Sequence, residues 1–120
     1  MKKKGLRKYK KVLEIVSKDG LLLQFQKFRY VKNKEIVLMA VKNNGLSLQY
    51  ANDELKSNKE IVIEAVQNNG KALEFSSIEL KNDKEIVEVA IKQDYASFQF
   101  ASEELKNDQY LKSIYHSEKQ

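Results

Sequence analysis

One stretch of this chain is written three times. Residues 33–57 read NKEIVLMAVKNNGLSLQYANDELKS, residues 58–82 read NKEIVIEAVQNNGKALEFSSIELKN, and residues 83–107 read DKEIVEVAIKQDYASFQFASEELKN. A further start, DQYLKSIY, opens at Asp108. Residues 8–32 are a worn copy, with Val12 and Val16 in the places of Val37 and Val41 and Gly20 in that of Gly45. The period is 25 residues with no insertion. A unit this short cannot bury its apolar face alone and must lean on its neighbours, so a fixed period in this range signals a stacked array. The expected fold is all-α: a small α-solenoid of about four helix–turn–helix repeats with a C-terminal capping helix. The units fall at 8–32, 33–57, 58–82 and 83–107, with the closing helix over 108–117, all within one repeat domain.

Each copy carries its own helix signals. Asn33, Asn58, Asp83 and Asp108 precede the apolar runs, where a short polar side chain accepts a free N–H of the first turn. Glu35, Glu60 and Glu85 follow in that turn, on the positive end of the helix dipole. Ile36, Val37, Ala40 and Val41 then form a stripe that suits a helix over residues 34–44 buried on one side. Asn43-Asn44-Gly45 ends it, and Gly45 and Gly70 are expected in the left-handed conformation of a helix cap. Asp94-Tyr95 breaks that rule, predicting either a strained Tyr95 or a rearranged turn.

A second helix is expected through Leu48, Tyr50 and Ala51 and their copies, then a short turn capped by Asn52, Ser77 and Ser102 and ending on Leu55, Leu80 and Leu105. An aromatic recurs at 25, 50, 75 and 100. In a repeat fold such rings are expected to pack between units rather than to stack on bases. The paired acids Asp53–Glu54 and Glu103–Glu104 sit in polar turns. An acid pair for catalysis needs two unlike environments, so capping explains these better.

The residues KEIVLMAVKNNGLSLQYANDELKSNKEIV resemble the repeat catalogued as domain of unknown function 4116, whose copies read approximately KEIVLxAVxxNGxALxYASxELKxDKEIV. The resemblance covers about 34–107 well and 8–32 weakly. It implies tandem helical copies of a kind found largely in bacterial proteins. It brings no catalytic residues to carry over.

Composition narrows the chemistry. There is no Cys, which excludes disulfide frameworks and thiolate zinc sites. No apolar run is long enough to span a membrane. Lys10, Lys11, Glu14, Lys18 and Asp19 interrupt any secretion signal, so a cytoplasmic chain is expected. His116 stands alone near the C-terminus, with no motif of a phosphate loop, dinucleotide site or metalloprotease elsewhere. No enzyme activity, cofactor or metal is expected.

The net charge of +5 hides a polarised chain. Residues 1–32 hold eleven Lys or Arg against Glu14 and Asp19, whereas residues 33–120 carry a surplus of four acids. The candidate anion- or partner-binding residues are Lys2, Lys3, Lys4, Arg7, Lys8, Lys10, Lys11, Lys27, Phe28, Arg29 and Tyr30, with Tyr9 among them. Cations interleaved with rings suit phosphate contacts and stacking, and a solubilising end cap fits the same residues. Positions that drift between copies are the candidate variable partner face: Leu38, Met39, Leu46, Ile63, Lys71 and Ile78. Ile78, apolar where Asp53 and Glu103 are acidic, reads either as a contact or as a packing adjustment.

Three functions follow as expectations. The first is a non-enzymatic module that binds another protein, as an adaptor or inhibitor acting by surface contact. The second is nucleic-acid or polyanion binding through the basic N-terminal unit, for example by a mobile-element inhibitor of a nucleic-acid-processing host complex. The third is head-to-tail self-association of the basic end with the acidic body.

Overall fold

The computed structural model describes residues 3–120. Each unit holds three short elements. The first has α1 (Lys3–Lys18), the 3-10 helix η1 (Gly20–Phe25) and α2 (Phe28–Val31). The second has α3 (Lys34–Asn43), η2 (Gly45–Tyr50) and α4 (Asp53–Lys56). The third has α5 (Lys59–Asn68), η3 (Gly70–Phe75) and α6 (Ile78–Lys81). The fourth has α7 (Lys84–Gln93), η4 (Tyr95–Phe100) and α8 (Glu103–Lys106), and α9 (Gln109–Lys119) closes the stack. The chain is thus an all-α solenoid, with α1, α3, α5, α7 and α9 stacked in one layer and η1 to η4 in the other. It is elongated, 54 × 25 × 18 Å. No helix among the described residues is long and apolar enough to cross a membrane.

The starts of the long helices follow the expected chemistry. Asn33, Asn58, Asp83 and Asp108 each accept from the N–H three residues on, at 2.9–3.1 Å. The stripe Ile36, Val37, Ala40 and Val41 is fully buried, as are Ile61, Val62, Ala65, Val66 and Ile86, Val87, Ala90, Ile91. Each large aliphatic side chain so buried stabilises the fold by about 1.5–3 kcal/mol.

The second helix of each repeat differs from expectation. It is a six-residue 3-10 helix followed by a separate four-residue turn of α-helix. With three residues per turn, positions 45, 48 and 51 share one side, and Gly45, Leu48 and Ala51 are all buried. The same spacing buries Gly70, Leu73 and Ser76. An α-helix of 3.6 residues per turn would rotate the third of these away from the core.

The glycines also differ from expectation, because no described residue has a positive φ. Their role is proximity. A Cβ on Gly45 would come well inside 3.0 Å of the Ala65 carbonyl oxygen, and one on Gly20 or Gly70 would meet Ala40 or Ala90 likewise. The backbone of one unit therefore lies directly on the helix of the next. At Tyr95 the rule lapses without left-handed strain, since Asp94 is extended and its side chain accepts from the Ala96 N–H at 3.0 Å. The residue facing Tyr95 in register is Tyr115 rather than alanine, with the ring centroids 6.0 Å apart.

A side-chain amide completes each seam. Asn43 Oδ1 accepts from the Gly20 N–H at 2.7 Å, and its Nδ2 donates to the Ser17 carbonyl at 3.1 Å. Asn68 repeats this on the Gly45 N–H at 2.6 Å and the Lys42 carbonyl at 3.2 Å. Gln93 Oε1 accepts from the Gly70 N–H at 2.5 Å. Asn43 thus joins units as well as ending its helix. The short turns are tied too: the N–H groups of Asn52, Ser77 and Ser102 donate to the carbonyls of Val31, Lys56 and Lys81, each at 3.0 Å.

Substitutions at Gly45 separate proximity from backbone handedness. Gly45→Ala is expected to cost about 1–3 kcal/mol by forcing the two units apart, and Gly45→Asn at least as much. A left-handed cap would instead accept Asn readily. Urea unfolding of the two variants checks this, and an Asn variant more stable than the Ala variant contradicts the close-approach account.

Candidate functional site

The first unit departs from the others because α1 runs unbroken for sixteen residues. Its residues 3–8 stand in register with 28–33, where the later units break into a short helix and a new start. The unbroken helix leaves a trench between itself and α2. One part, of about 470 Å³, is lined by Lys4, Gly5, Lys8, Tyr9, Arg29, Tyr30 and Asn33. The other, of about 350 Å³, is lined by Lys8, Lys11, Val12, Phe25, Gln26, Lys27, Arg29 and Tyr30. Both share Lys8, Arg29 and Tyr30.

Helical spacing explains the cationic wall. Lys4, Lys8 and Lys11 stand at i, i+4 and i+7 and so share one side of α1. Lys27 and Arg29 face them from the other wall, and no carboxylate lines either part. Lys3, Arg7 and Lys10 are exposed but line neither part. Lys2 lies outside the described residues.

The rings sort into floor and rim. Tyr30 is buried and forms floor, with the Arg29 guanidinium 5.2 Å from its centroid. Tyr9 is half-buried, and its hydroxyl donates to Glu35 of the second unit. Phe28, by contrast, is 69% exposed, with the Lys32 ammonium 5.2 Å from its centroid. Phe25 is 73% exposed, although Tyr50, Phe75 and Phe100 at the same position pack partly against the core. Phe25 therefore does not pack between units, and it belongs to the site. Its signal in the sequence was position: it lies on the outermost unit.

The drifting residues do not gather on one face. Leu38, Leu46 and Ile63 are half-buried and pack against the core. Lys71 is exposed and 3.8 Å from Asp94. Met39 is partly exposed, and Ile78 is 83% exposed at the start of α6. His116 is exposed, with its ring 5.3 Å from that of Tyr115. Among the described residues no cluster of His, Cys, Asp or Glu is placed to hold a metal ion.

Charge is used differently in body and end. In the body, Lys34 pairs with Glu60 at 2.7 Å, Lys59 with Asp83 and Glu85 at 3.1 and 3.2 Å, and Lys84 with Asp108 at 3.0 Å. These pairs cross from each unit to the next. Hydrogen bonds that Lys59 donates to Asp83 and Glu85 raise its pKa, and one donated by the Lys34 ammonium lowers that of Glu60. In the first unit Lys11 and Lys18 flank Glu14, lowering its pKa, chiefly through Lys18. The trench cations Lys4, Lys8, Lys27 and Arg29 enter no ion pair among the described residues.

The fold and this surface define an elongated helical repeat stack whose first unit is cationic and aromatic. Its sequence then gives the family: residues 33–81 and 68–106 match the profile described as Domain of unknown function (DUF4116), and the chain belongs to that family. The trench residues, Asn33 apart, precede the matched segments. Comparison with curated proteins and with solved structures finds no match.

The Tyr9–Glu35 contact ties α1 to the second unit and makes a pH prediction. Partial burial first, and then the Glu35 carboxylate, push the Tyr9 phenol up to about 12. A phenol raised in the folded state contributes stability that is fully present below its unfolded pKa of about 10 and lost as pH rises towards 12. Thermal midpoints across that window should fall more steeply for the wild type than for Tyr9→Phe. Parallel slopes would contradict the link.

Proposed function

We propose that this protein is a non-enzymatic interaction module that seats an acidic segment of a partner protein in the trench of its first unit. The observation that carries this reading is the contrast between the two halves of the molecule. In the body Lys34, Lys59, Lys71 and Lys84 bridge its own units, while Lys4, Lys8, Lys27 and Arg29 surround an apolar floor with no carboxylate lining it. Two exposed rings, Phe25 and Phe28, stand beside them. Cations around apolar surface match a segment that mixes carboxylates with apolar side chains, and the charges would speed encounter and set register.

Single-stranded nucleic acid is the second reading, favoured by the exposed rings. The first is preferred because the trench is one unit long. Beyond it the short turns carry Asp53, Glu54, Glu79, Glu103 and Glu104, which repel a phosphate backbone continuing along the stack.

Fluorescence anisotropy with a labelled peptide alternating Glu with Leu and Phe tests the reading. Binding at low salt is expected, weakening at least tenfold (about 1.4 kcal/mol) in Lys8→Glu/Arg29→Glu and falling with added salt. Lys71→Glu in the body should leave it unchanged. Equal binding by all variants overturns the reading, and an unstructured oligonucleotide bound more tightly than the peptide replaces it with the second.

A further inference from the structure

The molecule also carries an exposed apolar residue set among unpaired acids. Ile78, the first residue of α6, is 83% exposed, more than any other large apolar side chain among the described residues. Glu79 follows it, Asp53–Glu54 hold the same place one unit earlier, and Glu103–Glu104 one unit later. Asp53, Glu54, Glu79 and Glu104 enter no ion pair among the described residues, in contrast to Glu60, Asp83, Glu85 and Asp108. Carboxylates that do not join units thus recur along the ridge of short helices α4, α6 and α8, each of which ends on a lysine. A single exposed isoleucine is ordinary. An exposed isoleucine on a ridge that carries free carboxylates, on a chain that also bears an apolar trench lined by free cations, is a complementary pair.

We infer that a second copy of this chain occupies the trench, its Ile78 ridge lying against Lys8, Lys27 and Arg29 and beside Phe25 and Phe28. This rests on the trench being a site for acidic, apolar segments, as proposed above. Position argues for a reciprocal contact. Phe28 and Ile78 are each the first residue of their short helix, two units apart. At the usual helix spacing of about 10 Å that is ~20 Å along one side of the stack. With both patches on one side, two antiparallel copies each lay a ridge on the other's trench, a closed two-fold pair. The axis then passes near α4, where Asp53 and Glu54 would approach their own copies. Lys56 in the same turn offsets part of that repulsion.

End-on stacking is the weaker alternative, because both ends are altered. Where α3 presents Ile36 and Asn43 to the unit before it, α1 has Lys11 and Lys18. Where α3 has Val37 and Val41, α9 has Lys112 and His116. A unit arriving at either end meets polar and cationic side chains in place of the apolar and amide groups that make the seams.

Light scattering of the full chain across concentration, at low and high salt, tests the pairing. The expected result at low salt is a species of twice the 14.0 kDa chain mass, dissociating as salt is raised. A trench-reversed chain (Lys8→Glu/Arg29→Glu) and a ridge-reversed chain (Glu54→Lys/Glu79→Lys) should each be monomeric alone. Mixed together they should pair, because each trench then meets a ridge of opposite sign. A wild type that stays monomeric throughout overturns the inference, as does a pair whose mass ignores the reversals or a species growing beyond two. The peptide assay on the same sample keeps the two ideas apart. A monomer that still binds the acidic peptide overturns only the pairing, whereas one that does not overturns the trench reading as well.

Discussion

Where η1, η2 and η3 begin, the chain lies so close to the next unit that only a backbone fits. The carbonyls of Ala40, Ala65 and Ala90 occupy the space a side chain on Gly20, Gly45 and Gly70 would need. The glycine N–H exposed at that point is taken by an amide side chain, Asn43, Asn68 or Gln93, from the neighbouring helix. Close approach and hydrogen bond depend on each other. A larger residue would push the backbone out of the amide's reach, and without the amide a partly buried N–H would lack its partner. The apolar stripes and the alternating Lys–acid pairs then fall into register along the same 25-residue period.

That constraint accounts for the ends. The seam needs a glycine on one side and a small residue on the other, and the last unit has neither, since Tyr95 faces Tyr115. The rings of Phe98 and Tyr115 pack there at 5.3 Å, and Tyr110 donates to Glu88 at 2.7 Å, so α9 is held by aromatic contacts and a hydroxyl. At the other end Tyr9 makes the corresponding hydroxyl contact to Glu35. Each terminal unit thus docks by a tyrosine–glutamate contact and leaves its outer face polar. At the N-terminal one α1 continues where the later units turn, which opens the trench, while the C-terminal one has a cavity of about 530 Å³ lined by Tyr95, Phe98 and Tyr115.

Much of this was legible in the sequence. The period pointed to the stack, the capping Asn and Asp residues marked the starts of α3, α5, α7 and α9, and the stripe Ile36, Val37, Ala40 and Val41 gave the core. The 3-10 helices were misread because six residues hold too few turns for period 3.0 and period 3.6 to separate without watching Gly45, Leu48 and Ala51 together. The glycines were misread because proximity to another unit leaves no local trace; both proximity and a left-handed turn demand a missing Cβ. The cationic side of the candidate site could be read from Lys4, Lys8, Lys11, Lys27 and Arg29. Its aromatic side could not, since the tyrosines Tyr9 and Tyr30 serve the fold while Phe25, expected inside, stands at the surface.

Amide hydrogen exchange tests the seam most directly. The Gly45 and Gly70 N–H groups begin 3-10 helices and have no acceptor within their own unit, so their protection depends on Asn68 and Gln93 alone. The account predicts that both exchange as slowly as the buried helix amides of Ala65 and Val66, and that Asn68→Ala releases Gly45 while leaving Gly70 protected. A Gly45 amide that exchanges at the rate of an open turn in the wild type would contradict it.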